Sequence, residues 1–271
     1  MEREFADMKL FDSHAHYYDE RFELEHDGGA EDILSAVFSD NVGWIINVGT
    51  NIENAEECVS QAKKYENMYA AVGIHPGDSR EYTDVSYEIG RLKDLLCQRK
   101  EKKIVAIGEI GLDYHYEGTD KQKQKEFFCA QMEFARELDM PVIIHDREAH
   151  GDCMEIVRKY EGVRGVFHSF SGSAEMAKEL VRLGWHISFS GVVTFKNASK
   201  VKEAALAVPT DRLLIETDCP YLAPHPHRGE LNHSGLMRYT LEALAELRGE
   251  ETEALALRTA QNASDLFKIS L

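Results

Sequence analysis

Two histidines separated by one residue follow the first apolar run, in Phe11-Asp12-Ser13-His14-Ala15-His16. In an extended strand alternate side chains share a face, so His14 and His16 can reach one ion. Alone, such a pair is also how many surface strands end. The same residue types recur, however, where later apolar runs stop: His75 after Ile74, Glu109 after Ile107-Gly108, His145 after Ile143-Ile144, His168 after Phe167, and Asp218 after Ile215-Glu216-Thr217. Even with His75 set aside, four imidazoles and two carboxylates exceed what one four-coordinate zinc site needs. They suit two divalent ions roughly 3.5–4 Å apart with a carboxylate between them. We therefore expect His14, His16 and Asp218 on one ion, His145 and His168 on the other, and Glu109 as the bridge. The expected chemistry is hydrolysis by metal-bound hydroxide, with Asp218 as general base. Imidazole ligands favour zinc, manganese or iron over magnesium, which prefers oxygen cages.

Positioning these residues requires a scaffold that brings distant strand ends together. Eight short apolar runs are readable: Met8–Phe11, Trp44–Val48, Tyr69–Ile74, Ile104–Ile107, Val142–Ile144, Val166–Phe167, His186–Phe189 and Leu213–Ile215. Several are β-branched on both faces, as in strands covered on both sides. Between them the spacing predicts helices over 31–39, 52–65, 85–99, 121–138, 153–160, 174–183 and 199–207, with two more over 234–247 and 251–267. Strict alternation implies βαβ units, and eight of them imply a closed (β/α)8 barrel forming one domain over residues 1–271; an open doubly wound sheet is the alternative. In such a barrel functional groups gather at the C-terminal ends of the strands, which is where the histidines and carboxylates fall.

Composition narrows the partners. With 31 Lys and Arg against 48 Asp and Glu the net charge is −17, the wrong sign for a protein that coats duplex DNA through many phosphates. An enzyme that engages a few phosphates through bound cations is compatible with it. Five cysteines without a C-x-x-C pair argue against a disulfide framework or a zinc ribbon and fit a reducing cytoplasm. No apolar run approaches the roughly 20 residues that span a bilayer, and the polar, acidic start is unlike a secretory signal. Residues 1–7 read as a dispensable, disordered extension. Neither a membrane nor an obligate protein partner is expected.

Six stretches carry a resemblance: Phe11–His16 (FDSHAH), Ala71–Pro76 (AVGIHP), Ile107–Tyr114 (IGEIGLDY), Pro141–Ala149 (PVIIHDREA), Phe167–Gly172 (FHSFSG) and Ile215–Pro224 (IETDCPYLAP). In this order they make the chain similar to the TatD family of metal-dependent deoxyribonucleases, within the amidohydrolase-like barrels. The resemblance implies that His14, His16, Glu109, His145, His168 and Asp218 are metal ligands. It also implies hydrolysis of phosphodiester bonds in DNA, commonly from a 3′ end, with magnesium or another divalent ion.

Around this centre three residues are candidate substrate contacts. His75 either donates to a substrate phosphate or caps the third strand. Arg147 either clamps a phosphate with its planar fork or pairs with a neighbouring helix. Arg228 lies in His227-Arg228-Gly229-Glu230-Leu231-Asn232-His233-Ser234, where the resembling family usually carries H-R-G-K-R-N-E-P. Glu230 and Leu231 thus stand for two basic residues, which lowers the expected affinity for a polyanion. DNA ends or a small phosphodiester are the expected substrates. The same ligand set also suits amide or ester hydrolysis, including deacylation of aminoacyl-tRNA, and a non-catalytic metal-binding scaffold is a third reading.

Overall fold

The computed structural model describes residues 9–271. The expectations for residues 1–7 and for a strand beginning at Met8 lie outside the described residues. Eight parallel strands form one sheet in the order of the chain: β1 (Leu10–Ala15), β2 (Val42–Val48), β3 (Met68–Val72), β4 (Ile104–Asp113), β5 (Val142–Arg147), β6 (Gly165–Phe167), β7 (His186–Phe189) and β8 (Leu213–Ile215). The ends meet through a bridge between Ala15 and Cys219 and a bond from Ser13 Oγ to the Ile215 carbonyl at 2.9 Å. This is the expected (β/α)8 barrel.

Helices return the chain between strands: α1 (Arg21–Glu25), α2 (Gly29–Ser39), α3 (Ile52–Lys64), α4 (Val85–Cys97), α5 (Lys121–Leu138), α6 (His150–Lys159), α7 (Ala174–Arg182), α8 (Ser199–Ala207), α9 (Met237–Arg248) and α10 (Thr252–Phe267). Side chains that accept from free N-terminal amides start several of them: Asn51 for α3, Asp84 for α4, Asp120 for α5 and Ser173 for α7, as helix ends require. Most limits that differ from expectation shift by one to three residues, with β5 running on to Arg147 and α6 starting at His150; three departures are more than small shifts. The α1 turn is too short to leave a periodic signal. The helix expected over 234–247 opens as a 3-10 turn, Ser234–Leu236, before α9. Strand β4 continues six residues past Ile107, because Gly108 and Gly111 read as strand breakers while both remain in the sheet.

The barrel is plugged at one end. Phe11, Ile46, Val48, Ala71, Ala106, Ile143, Val166 and Leu214 pack with Ala260, Ala263, Leu266 and Phe267 of α10. Phe267 stacks on Phe11 at 6.3 Å. Each large buried side chain contributes about 1.5–3 kcal/mol, so α10 is a firm floor. The polar residues are left to the opposite mouth. Cys58, Cys153 and Cys219 are buried free thiols, and no described helix is long and apolar enough to cross a membrane.

Candidate metal centre

Two irregularities aim the site inward. Between β1 and β2 the pairing advances from Asp12 to Ala15 against Ile45 to Asn47, three steps against two, and between β4 and β5 from Ile107 to Ile110 against Val142 to Ile144. Such bulges redirect a side chain. One contains His14 and the other Glu109, so both lie within their strands rather than beyond them. Gly111 is required next to the second bulge: its φ is +142°, and a Cβ there would sit 2.0 Å from the His145 carbonyl oxygen.

The six expected residues converge. His14 Nε2 and His16 Nε2 are 3.0 Å apart. His14 Nε2 is 3.4 Å from Glu109 Oε2, and His16 Nε2 is 3.3 Å from Asp218 Oδ1. On the other side Glu109 Oε1 is 2.6 Å from His145 Nδ1 and 2.7 Å from His168 Nε2. Each oxygen of Glu109 therefore serves a different pair of imidazoles. Glu109 is buried, and burial raises its pKa; the surrounding imidazoles, His168 and His75 foremost, outweigh burial and hold it well below the usual carboxylate range.

The outward hydrogen bonds assign the ring protons. His16 Nδ1 lies 2.7 Å from the Val48 carbonyl, His168 Nδ1 3.3 Å from Glu216 Oε1, and His145 Nε2 3.3 Å from Asp113 Oδ2. Each of these nitrogens donates, which leaves a lone pair on the other one. Three lone pairs thus face the acceptor-only oxygens of Glu109 and Asp218. Acceptors at 2.6–3.3 Å repel unless positive charge lies among them. Protons supply it in part: burial opposes an imidazolium at His145, but Glu109 and Asp113 prevail and raise it to about 8. Divalent cations supply it better, and the donor set, nitrogen and carboxylate oxygen, is the one such ions take. Three overlapping groups are close enough to hold such an ion: His14, His16 and Asp218; His14, Glu109 and His168; and His75, Glu109 and His145.

Sequence reasoning did not single out the residues that hold these side chains. Buried Asp12 accepts from His14 N and Thr217 N on Oδ1 and from Thr217 Oγ1 and Ser234 Oγ on Oδ2, at 2.6–3.3 Å. Burial raises its pKa to about 6, and these bonds limit the rise. The network ties β1 to the segment after β8, where the Asp218 amide bonds the His14 carbonyl at 2.9 Å. On α5, Gln131 takes both backbone groups of Ile74, and Gln124 takes both of Asp113 and the Pro76 carbonyl. One helix face therefore places His75 and Asp113. Carboxylates at strand ends, Glu216 and Asp113 among them, were the signal available; glutamines on a helix gave none.

The rim residues separate. His75 Nδ1 accepts from Gly77 N at 2.9 Å, so Nε2 bears the proton, 3.6 Å from Glu109 Oε1. Although close enough to share an ion with Glu109 and His145, it presents a donor. Burial lowers its pKa to about 3, so it stays neutral. Arg147 is not paired with a helix; its guanidinium lies 3.9 Å from Asp113 and over the Tyr116 ring. Arg228 stands apart from the cluster, over Phe195 at 4.1 Å. Leu231 packs on the core, and Asn232 bonds the Thr217 and Tyr221 carbonyls, so this loop is anchored and position 231 is not simply a missing charge at the mouth.

A barrel whose mouth gathers imidazoles and carboxylates is the scaffold and donor set of a metal-dependent hydrolase. The family model described as TatD related DNase matches residues 11–268. The uncharacterized metal-dependent hydrolase YabD of Bacillus subtilis (strain 168) is 40% identical over 263 residues, covering 96% of this chain and 100% of that one. YcfH of Escherichia coli (strain K12), also called an uncharacterized metal-dependent hydrolase, is 38% identical over 264 residues, 97% of each chain. The crystal structure of YjjV, a TatD homologue from E. coli K12, superposes with a TM-score of 0.89 at 30% identity, covering 96% of this chain and 98% of that one. The chain belongs to the TatD family and is a metal-dependent hydrolase.

Proposed function

We propose that this hydrolase cleaves phosphodiester bonds at the ends of DNA strands, using two divalent cations held by His14, His16, Glu109, His145, His168 and Asp218. The observation that carries the reading is the division of Glu109, one oxygen to each imidazole pair. The cations, when bound, supply Lewis acidity to a phosphate oxygen and acidify the attacking water. The chain's own residues do the rest. Asp218 has Oδ1 turned to His16; burial raises its pKa, but the His16 contact and the other imidazoles bring it below the ordinary value. It is thus ionised, with Oδ2 left to take the proton of the attacking water. The His75 Nε2–H and the Arg147 guanidinium are donors for phosphate oxygens. The match to a family model described as TatD related DNase supports DNA as substrate.

The test uses a 3′-labelled single-stranded oligonucleotide, an aminoacyl-tRNA and a panel of cyclic amides, each with the stripped protein and with manganese, zinc or magnesium restored. Label release restored by metal is expected. Deacylation or amide cleavage without label release overturns the reading. Asp218→Asn should keep the fold and lose most turnover, typically 10²–10⁴-fold for a lost general base; a fully active variant refutes the role given to Asp218.

A further inference from the structure

Beside the centre lies a cavity of about 260 Å³ that the reaction as described does not use. Its walls include Tyr116, Gly77, Arg80, Glu117 and Asp120, and it shares Asp113 with the centre. Asp113 in turn touches His145, whose other ring nitrogen meets Glu109. One imidazole and one hydrogen bond thus separate the cavity from the cations' place, about the reach from a phosphate to the base of its own nucleotide.

Tyr116 is 62% exposed, yet its ring is oriented. The Arg147 guanidinium lies 5.5 Å over one face, the His115 ring meets it edge-on at 5.1 Å, and His115 is itself tied to Glu148 at 2.6 Å. A large aromatic ring held open to solvent beside a reactive centre is suited to stacking. The walls select what stacks. Arg80 is paired with Glu81, and the Lys123 ammonium bonds the Arg80 carbonyl. Asp120 gives one oxygen to the Lys123 amide; with Glu117 it leaves carboxylate oxygens in the wall as acceptors for the amino hydrogens of a flat, uncharged group. The volume lies just under the roughly 300–1,000 Å³ of sites for drug-sized ligands, room for one ring system rather than several.

From these observations we infer that the cavity is a base-binding subsite, in which Tyr116 stacks the base of the nucleotide whose phosphate the centre holds, and Glu117 favours bases bearing an exocyclic amine. The inference rests on the phosphodiesterase reading and names its specificity. Stacking on one aromatic side chain is worth roughly 5- to 150-fold in affinity by alanine substitution.

The experiment is calorimetric titration of the manganese-loaded protein with deoxycytidine 5′-monophosphate, thymidine 5′-monophosphate and methyl phosphate, in native, Tyr116→Ala, Tyr116→Phe and Glu117→Gln proteins. The expected result is at least fivefold tighter binding of the cytidine nucleotide than of methyl phosphate. Tyr116→Ala should collapse that ratio, Tyr116→Phe should keep it, and Glu117→Gln should narrow the gap between cytidine and thymidine nucleotides. Equal affinity for nucleotide and methyl phosphate in the native protein, or a ratio indifferent to Tyr116→Ala, overturns the inference. Hydrolysis of methyl p-nitrophenyl phosphate, which has no base, is followed in parallel: its absence counts against the phosphodiesterase reading, while the nucleotide ratio judges the subsite.

Discussion

Glu216 is the most informative residue to change, because it touches only one half of the proposed centre. Its Oε1 accepts from Ser169 N at 2.7 Å and faces His168 Nδ1 at 3.3 Å; Oε2 is buried with no partner among the described residues. In Glu216→Gln the Ser169 amide requires an oxygen at the Oε1 position, which fixes the amide's orientation. His168 keeps its tautomer and loses only the carboxylate's charge. Glu216→Ala removes charge and acceptor together. Partners of ligating histidines are worth about 10–100-fold in metal affinity, so the glutamine variant should fall near the lower end and the alanine variant near the upper. In free energy the range is about 1.4–2.7 kcal/mol. The glutamine variant also places an amide NH2 where Oε2 lies without a partner, at a cost of about 1–3 kcal/mol. Unfolding a chain of this length releases about 0.6 kcal/mol/K, so its Tm should drop by roughly 2–5 °C. Titration of zinc into the stripped protein against a competing chelator resolves the two ions. The constant of the ion at His14 and His16 should hold while that of the His168 ion weakens. Equal weakening of both ions, or no weakening in Glu216→Ala, would refute the assignment of His168 to a separate ion.

Other positions report on the scaffold. Gly111→Ala places a methyl group against the His145 carbonyl at a φ that side chains avoid; strain plus overpacking should cost about 3 kcal/mol or more, visible as a lower Tm and reduced metal content, and normal values would contradict the close approach. Glu109→Ala should release one or both ions, measured by elemental analysis of the purified protein; full occupancy would remove Glu109 as the bridge. His186, at the start of β7, gives a pH dependence independent of metal. Burial, with Arg212 nearby, lowers its pKa to about 4. The unfolded chain binds this proton near the ordinary value of about 6.5 while the fold refuses it, so the stability is intact above pH 6.5 and is lost as pH falls through 4. Between pH 7.5 and 5 the loss from this group is about 2 kcal/mol. Urea titrations of His186→Gln at the two pH values should show that much less acid sensitivity than the native protein; an identical loss would mean the imidazole is not desolvated.

What could be read from the sequence, and what could not, follows from the range of the forces involved. The barrel was legible because eight apolar runs alternate with amphipathic segments, and β7, β8, α5 and α8 keep the residue limits their periodicity indicates. The convergence of six polar residues was legible as recurrence at the ends of those runs. The bulges were not. Gly108 and Gly111 look like terminators until pairing with β5 shows that they let β4 continue past an inserted residue and turn Glu109 inward. Nor was the role of Asp12, which only acquires its four donors when residues 217 and 234 return beside it. Gln124 and Gln131 are spaced like ordinary polar positions of a helix, and their value lies in backbone groups of β4 and the β3 loop that no local pattern names. Periodicity sees faces; it does not see who arrives opposite them.

Charge then bears on how a polyanion can be engaged. A net charge of −17 repels DNA at long range, and at physiological salt that repulsion decays within about 8 Å, so attraction must come from the mouth itself. There Arg147 lies beside Asp113, Arg80 is paired with Glu81 and Lys123 is bound to the Arg80 carbonyl, His75 is neutral, and Arg228 rests on Phe195. With so few fixed cations, few counterions are released on binding, and the dependence of affinity on salt should be shallow, with a slope of about −0.7 for each single-strand phosphate neutralised. We expect a slope between −1 and −2 for a single-stranded oligonucleotide, measured by anisotropy across a salt series with manganese present. A slope beyond −4 would require a basic track along the strand, and would turn the proposal from strand ends to long single-stranded runs.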